Sequence, residues 1–273
     1  MGDIIYSAPA NAQVILRVDT RSDNITFVGA QEVASIADAS VQYKFMQSFL
    51  VGDTIFAPPR NAGGVLTIDT TTGVVSTFGG AALQQNKNYQ NSVLVANRFI
   101  YTAPGSTRHV LKIDTAAKSV TMIGEQVVSG IPFGGNYGGQ YLFSQPVLIG
   151  GIIYMTGIDT TWVLKIDTKN GDSISAAFEL PASSNQLGWG ARPVVVGPYI
   201  IISPAVNMET VVTIDTTDDS VVTLGQYPGN GYNFGFAYDG AAYFLPGGDA
   251  GILKVEGHFL ASVCLLFSSS SQL

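Results

Sequence analysis

Five aspartates stand immediately before threonine at regular intervals, and they are the first groups to examine for chemistry. Asp19-Thr20, Asp69-Thr70, Asp114-Thr115, Asp167-Thr168 and Asp215-Thr216 each end an alternating apolar–polar run and precede turn-forming residues. Carboxylates in series could ligate a metal or act as general acids and bases. A carboxylate in this position can instead accept backbone N–H bonds two or three residues on and so fix a hairpin. The hairpin role is the expected one, because one carboxylate per repeat at a hairpin end would scatter the five around a rim.

Other reactive groups are sparse. His109 follows Arg108 and His258 follows Gly257. They occupy similar strand-end positions in different repeats, and nothing in sequence pairs either with a nucleophile. No Cys/His spacing suits zinc. Cys264 is the only cysteine, so it forms no intrachain disulfide, and its apolar surroundings suit a small buried residue. The glycine pairs, Gly63-Gly64, Gly79-Gly80, Gly134-Gly135, Gly138-Gly139 and Gly247-Gly248, lack a phosphate-loop lysine and read as turns. Asp53 and Asp239 follow the innermost strands of their repeats rather than lie within them, which disfavours a calcium on the central axis. The expectation is therefore no catalytic residue, no metal ligand and no cofactor.

Binding chemistry is better represented. Tyr43, Tyr89, Tyr141, Trp189 and Tyr232 each stand 11–13 residues before a recurring aromatic or aliphatic position, in the long connection between repeats. Amides accompany them: Gln47, Gln85 with Asn86, Asn136 with Gln140, Asn185 with Gln186, and Asn230 with Asn233. Aromatic faces stack on sugars and amides bond hydroxyls, and the same groups serve protein hot spots. An aromatic ahead of a strand can equally wedge between packed sheets, and both readings stand. The candidate contact set is Tyr43, Tyr89, Tyr141, Trp189, Tyr232, Gln47, Asn86, Gln140, Gln186 and Asn233. Trp189, between Gly188 and Gly190, leads it.

The elements that must hold these groups are strands. One phrase recurs six times: an apolar residue, Pro three positions on, and an acid ten residues later. It runs Tyr6–Pro9–Asp19, Phe56–Pro59–Asp69, Tyr101–Pro104–Asp114, Tyr154–Gly157–Asp167, Ile201–Pro204–Asp215 with one inserted residue, and Tyr243–Pro246–Glu256. The acids lie 50, 45, 53, 48 and 41 residues apart, a period typical of propellers, solenoids and arrays. In the third repeat, Ser92–Val95, Phe99–Thr102, Val110–Asp114 and Val120–Ile123 are short apolar or alternating runs separated by turn formers. We designate these four strands a, b, c and d. The spacing predicts an all-β fold, a six-bladed β-propeller with four-stranded antiparallel blades, in one domain over 1–273 with a frayed tail at 268–273. The best helical window, Gln31–Ala39, is short.

The segment Phe99–Gly124, FIYTAPGSTRHVLKIDTAAKSVTMIG, resembles the YVTN repeat of seven-bladed surface-layer and YncE-like propellers, whose pattern is VYVTN…VSVIDTATNTV. The resemblance covers strands b to d of every repeat, about half the chain. It departs in strand a, in the Ala-Pro that replaces Thr-Asn, and in the number of repeats. What it implies is a fold; propellers host many unrelated activities.

Net charge is −7 and the pI about 4.6, which argues against a nucleic-acid partner. Only 12% of residues are charged, so Thr, Ser, Asn, Gln and Gly must supply the polar surface. That composition suits an extracellular or virion surface or a subunit of a larger assembly; it also suits a propeller with Thr on its exposed strand faces. The chain is expected to enter a strand by Ile4 with no signal peptide, and no apolar run reaches membrane-spanning length. The expected function is a non-enzymatic structural or recognition subunit of a surface assembly such as a virion or surface layer, with protein partners or surface glycans. The alternatives are a carbohydrate-binding propeller and a six-bladed lactonase or lyase-type enzyme.

The first repeat begins at strand b and so lacks an inner strand. Ala261–Phe267 aligns without gaps with strand d of the last repeat, and by composition with strand a. An open inner edge is the worse defect, so the expectation is that this segment pairs with Ile4–Ala8 and closes the first blade.

Overall fold

The computed structural model describes residues 3–83, 88–132, 142–181, 192–204, 210–225, 231–247, 251–256 and 263–266. The chain falls into two compact units, Met1–Ser129 and Gly130–Leu273. The frayed-tail expectation for 268–273 lies outside the described residues.

The first unit holds three antiparallel sheets. The first contains β1 (Ile4–Ser7), β2 (Ile15–Asp19) and β3 (Asn24–Val28). The second contains β4 (Phe49–Val51), β5 (Thr54–Ala57), β6 (Val65–Asp69) and β7 (Val75–Phe78). The third contains β8 (Tyr89–Val95), β9 (Phe99–Pro104), β10 (Val110–Asp114) and β11 (Ser119–Ile123). The second unit repeats the plan. Its first sheet contains β12 (Val147–Ile149), β13 (Ile152–Thr156), β14 (Trp162–Asp167) and β15 (Ser173–Glu179). The next contains β16 (Val194–Val196), β17 (Tyr199–Ile202), β18 (Val211–Asp215) and β19 (Val221–Leu224). The last contains β20 (Tyr232–Tyr238), β21 (Ala241–Pro246), β22 (Ile252–Glu256) and β23 (Val263–Leu266).

One expectation is overturned. β23 pairs antiparallel with β22, with Val263 opposite Val255 and Leu266 opposite Ile252, and so forms the outer strand of the last sheet. The first sheet keeps three strands in the order β1-β2-β3. The cause is local: a connection of six residues returns the chain directly beside β22, whereas crossing to β1 would require a long-range pairing.

Strand alternation gives every sheet two apolar faces. The forward face carries the repeated strand-b residue, from Tyr6 to Tyr243. The backward face carries its neighbour and that neighbour's cross-strand partner: Ile5–Val18, Ile55–Ile68, Ile100–Ile113, Ile153–Ile166, Ile200–Ile214 and Ala242–Val255. Within the first unit, Tyr6 and Ile15 pack against Ile55, Ile68 and Val75. Phe56 and Val65 likewise pack against Ile100, Leu111 and Ile113. Within the second unit, Tyr154 and Val163 meet Ile200 and Ile214, and Ile201 and Val211 meet Phe244 and Val255.

The five Asp-Thr pairs make one joint, repeated. Asp19, Asp69 and Asp114 each accept through Oδ1 the N–H groups two and three residues on, at 2.8–3.3 Å. Asp167 accepts from Lys169 at 3.0 Å and Asp215 from Thr217 at 2.9 Å. The following threonine was not predicted to act, yet it binds in all five copies. Its N–H and Oγ1 both donate to a single carbonyl in the a–b turn, or just ahead of β1 in the first sheet: Asp3, Asp53, Arg98, Gly151 and Pro198 in turn. The dipeptide thus fixes the c–d hairpin and ties it to the neighbouring turn.

Three short helices follow the outer strands of the first unit: α1 (Ala30–Ile36), α2 (Gly80–Leu83) and α3 (Glu125–Gly130). Each is entered through a left-handed glycine, Gly29, Gly79 or Gly124, with φ of 72°, 78° and 76°. Four residues on, Val33, Leu83 and Val128 are fully buried, and their N–H groups bond the glycine carbonyls at 3.0, 3.1 and 2.9 Å. A Cβ on Gly29 would come within 3.1 Å of Val75 and one on Gly79 within 2.9 Å of Val120, each in the following sheet.

Candidate functional site

The predicted contact set does not assemble as one group. Tyr43 is half exposed, whereas Tyr89 and Tyr232 are buried. Gln47 accepts the Ser92 N–H through Oε1 at 3.1 Å. Tyr141, Trp189, Asn86, Gln140 and Gln186 lie outside the described residues, as does the side chain of Asn233.

The structural equivalences explain the split. The residue opposite the repeat proline, or the glycine that replaces it, is Phe45 (Pro59), Tyr89 (Pro104), Phe143 (Gly157) and Tyr232 (Pro246). All four are buried. This is the wedge role, and Tyr89 and Tyr232 take it. Tyr43 and Tyr141 stand two positions ahead of Phe45 and Phe143, so counting back a similar number of residues matched unlike positions. Phe45, Phe143 and Tyr232 stand 11 residues before Phe56, Tyr154 and Tyr243, and Tyr89 stands 12 before Tyr101 because the turn between β8 and β9 is one residue longer than that between β4 and β5.

Around Tyr43 the first unit gathers cations and amides. The Arg60 guanidinium lies 4.9 Å from the Tyr43 ring centre. The Tyr43 N–H donates to Asn11 Oδ1 at 2.9 Å, and Asn61 Nδ2 donates to the Gln42 carbonyl at 2.9 Å. Lys44 is buried, and its ammonium donates to the Asn11 and Val41 carbonyls at 3.0 and 2.6 Å. Burial pushes the Lys44 pKa down, and the charge of Asp38 partly opposes this. Main-chain groups continue the network. Lys44 N–H bonds Ala10 O and Arg60 N–H bonds Lys44 O, both at 2.8 Å; Asn88 and Tyr89 N–H bond Arg60 O at 2.7 and 3.0 Å; Gly105 N–H bonds Asn88 O at 2.9 Å.

His109 does have a partner. Its Nε2 and the Tyr89 hydroxyl share a hydrogen bond at 2.7 Å, and both side chains are buried. Burial raises the Tyr89 pKa and lowers that of His109, with Glu125 acting weakly in the opposite sense on the imidazole. A perturbed pair can mark a reactive site; both members of this one are buried within the first unit. Among the described residues, no group of three or more His, Cys, Asp or Glu could hold a metal, and no helix is long and apolar enough to cross a membrane.

Among the described residues, exposed large apolar side chains gather on the first and last sheets. Ile5, Ile25 and Phe27 on the first backward face are 57, 58 and 66% exposed. Leu16 and Val18, half-buried, complete that face. On the last forward face, Phe234, Phe236 and Tyr238 are 55, 50 and 68% exposed, at alternate positions of β20. Phe236 stacks on Tyr243 with ring centres 5.5 Å apart and an interplanar angle of 13°. Lys254 Nζ lies 5.9 Å from the Tyr243 ring centre and 2.6 Å from Glu256 Oε1.

Similar solved structures share this arrangement. Virginiamycin B lyase from Staphylococcus aureus superposes with a TM-score of 0.63 at 13% identity, over 96% of this chain and 80% of that one. BamB from Moraxella catarrhalis gives 0.58 at 11%, over 97% and 74%. The extracellular domain of a putative one-component system from B. thetaiotaomicron gives 0.60 at 9%, over 97% of this chain but only 35% of that one. The fold is a β-propeller. No protein-family model matches the chain, and no curated protein sequence does. At these identities the likeness speaks for fold alone, and the six sheets are its blades.

In blade terms, the strand-b residue and its strand-c partner vary together. Tyr6, Tyr101, Tyr154 and Tyr243 face Arg17, Lys112, Lys165 and Lys254, whereas Phe56 and Ile201 face Thr67 and Thr213. Lys165 Nζ sits 5.1 Å from the Tyr154 ring centre and bonds Asp219 at 2.6 and 2.8 Å. Asp219 belongs to the c–d turn of the next blade and has a left-handed φ of 61°.

Proposed function

We infer that the chain is a non-enzymatic recognition and building module, a propeller that serves as a subunit of a larger surface assembly such as a virion or surface layer. The observation that carries this reading is the exposure of Ile5, Ile25 and Phe27 on the first blade and of Phe234, Phe236 and Tyr238 on the last. Contiguous apolar patches of more than a few hundred Å² are uncommon on soluble monomers and mark docking surfaces. The low charge content and the protein-facing chemistry of stacked Phe236 and Tyr243 agree with it. Hydroxyl-radical footprinting of the isolated chain and of the native assembly tests the reading. Phe27, Phe236 and Tyr238 should be protected only in the assembly; equal labelling in both states overturns it.

A second reading rests on Tyr43, an exposed ring beside Arg60, Asn11 and Asn61, groups that suit a sugar. A glycan array with wild type and Tyr43→Ala separates it from the first: binding lost in the variant supports it, and an empty array removes it.

A further inference from the structure

We propose that the site around Tyr43 takes an acidic sugar, whose carboxylate is bound by the Arg60 guanidinium and whose ring lies on the Tyr43 ring. This rests on the glycan reading above and goes beyond it by naming the class of sugar. Every side chain of the site belongs to the first unit.

The repeat shows that the fold does not ask for a cation at position 60. The residue after the repeat proline, or after its glycine, is Ala10, Arg60, Gly105, Ile158, Ala205 and Gly247 in turn, so one copy in six is charged. The backbone is the same where the side chain differs. The N–H groups of Arg60, Gly105, Ile158 and Gly247 bond the carbonyls of Lys44, Asn88, Leu142 and Gly231, at 2.8, 2.9, 2.8 and 2.9 Å. Each of those carbonyls belongs to the residue just before a wedge aromatic. The joint is therefore complete with a hydrogen or an apolar side chain at this place. Arg60 is nonetheless only 5% exposed, and taking a guanidinium out of water costs free energy. A costly residue that breaks the repeat marks a binding role.

The guanidinium is held ready for an oxyanion. Its main chain is pinned from both sides, by the bond to Lys44 and by the Asn88 and Tyr89 N–H groups that reach its carbonyl at 2.7 and 3.0 Å. Arg60 Nη1 donates to Met46 Sδ at 3.1 Å. A thioether is a weak acceptor. Met46 is also 44% exposed, on an unbranched side chain that swings at little cost. A carboxylate oxygen in place of the sulfur makes a charge-assisted bond, roughly twice as strong as a neutral one, and the planar fork suits both oxygens at once. Met46 is thus a cap that the ligand displaces.

The surroundings select a sugar over another anion. Tyr43 is 51% exposed, so part of its ring is open to a pyranose while the guanidinium lies 4.9 Å from the ring centre. Asn11 accepts the Tyr43 N–H through Oδ1, which turns its amide N–H groups to use as donors. Asn61 donates Nδ2 to the Gln42 carbonyl, which leaves its Oδ1 as an acceptor. Donor and acceptor side by side match hydroxyls, which do both. The buried ammonium of Lys44 adds a second cation behind the ring, in a chain whose net charge is −7.

An array carrying carboxylated glycans, the same glycans with the carboxyl reduced to an alcohol, and sulfated glycans is the test, probed with the full chain and its variants. Wild type should bind carboxylated glycans at least ~10-fold more tightly than their reduced forms. Arg60→Gln should abolish that preference. Arg60→Lys keeps the charge without the fork and should weaken binding at least ~10-fold, and it decides the matter if circular dichroism shows that Arg60→Gln does not fold. Met46→Ala removes the cap and should bind carboxylated glycans more tightly; equal or weaker binding overturns the displacement. Acidic and reduced glycans bound alike, with binding lost in Tyr43→Ala and kept in Arg60→Gln, overturn the proposal and leave the glycan reading standing. A preference for sulfated over carboxylated glycans overturns it too, as does polyglutamate bound through Arg60 beside an empty array. An empty array by itself removes both the proposal and the reading it rests on.

Discussion

The first and third blades carry the same pattern and meet different fates. Ile5 and Ile100 occupy equivalent positions on strand b, yet Ile5 is 57% exposed and Ile100 is wholly buried. Ile25 and Val120 are equivalent on strand d, and the first is open whereas the second packs against the preceding blade. Residue type sets which face of a blade is apolar. Packing against a neighbouring blade, as Phe56 and Val65 pack on Ile100, decides whether that face is buried.

The largest effect that tests this contrast comes from truncation. Ile100→Ala should cost ~2–4 kcal/mol in urea unfolding, since a cavity opens between two blades. Ile5→Ala, made at low protein concentration, should change stability by less than ~0.5 kcal/mol. Equal losses would break the comparison.

A second contrast sets the buried wedge Tyr89 against the exposed Tyr43. Tyr89→Phe removes the hydroxyl bonded to His109 and leaves the imidazole nitrogen enclosed, at a cost of ~1–2 kcal/mol. Tyr43→Phe should be neutral in the same assay. The pH dependence follows from burial. The folded-state pKa of His109 is lowered, so its contribution is complete above the unfolded value of about 6.5. That contribution falls as the pH drops below 6.5 toward the folded value. Thermal midpoints between pH 7.5 and 5 should decline in wild type and decline less in His109→Gln.

The smallest effect belongs to the Asp-Thr joints. Arg98, and then the Ala117 and Ala116 N–H groups, hold the Asp114 pKa at about 2, below the ordinary 3.8. Its contribution is therefore present above the ordinary value and is lost as the pH falls toward 2. Asp114→Ala should cost less than ~1 kcal/mol, because Arg98 is exposed and solvent screens the pair. The acid-limb difference between this variant and wild type should shrink below pH 3.8 and close as the pH falls to about 2.

Much of this was legible because strand period and turn chemistry are local. The six-fold phrase located the b and c strands of all six blades, and Asp19 through Asp215 proved to be hairpin fixers. What escaped needed a partner from elsewhere in the chain. Thr20 and its four counterparts bond carbonyls 17 or 18 residues away, and no property of threonine alone reveals this. The wedge aromatics were misaligned because a tyrosine stands two positions ahead of Phe45 and of Phe143, and one extra residue in the β8–β9 turn widens the spacing from 11 to 12 for Tyr89 and Tyr101. Helices α2 and α3 were missed because one turn carries no period; the usable signal was glycine followed four residues later by an apolar side chain. The route of β23 was misjudged because composition favoured two pairings and a six-residue connection decided between them.

The carbonyl chain from Ala10 through Lys44 and Arg60 to Asn88 and Gly105 implies a rule for how this rim can drift. Its donors and acceptors are peptide groups, so the stitches that join three successive blades depend little on side-chain identity outside Asn88, with its left-handed φ of 76°, and Gly105. Proline is barred at 44, 60, 88, 89 and 105, because each of those nitrogens must give a hydrogen, and position 105 further excludes any Cβ, which would clash with the Asn88 carbonyl oxygen; the residue just before position 60 is already proline. A lineage could rewrite the loop tips around Tyr43 many times over and keep its seams intact, so the surface most open to novelty is mounted on the backbone least able to notice it.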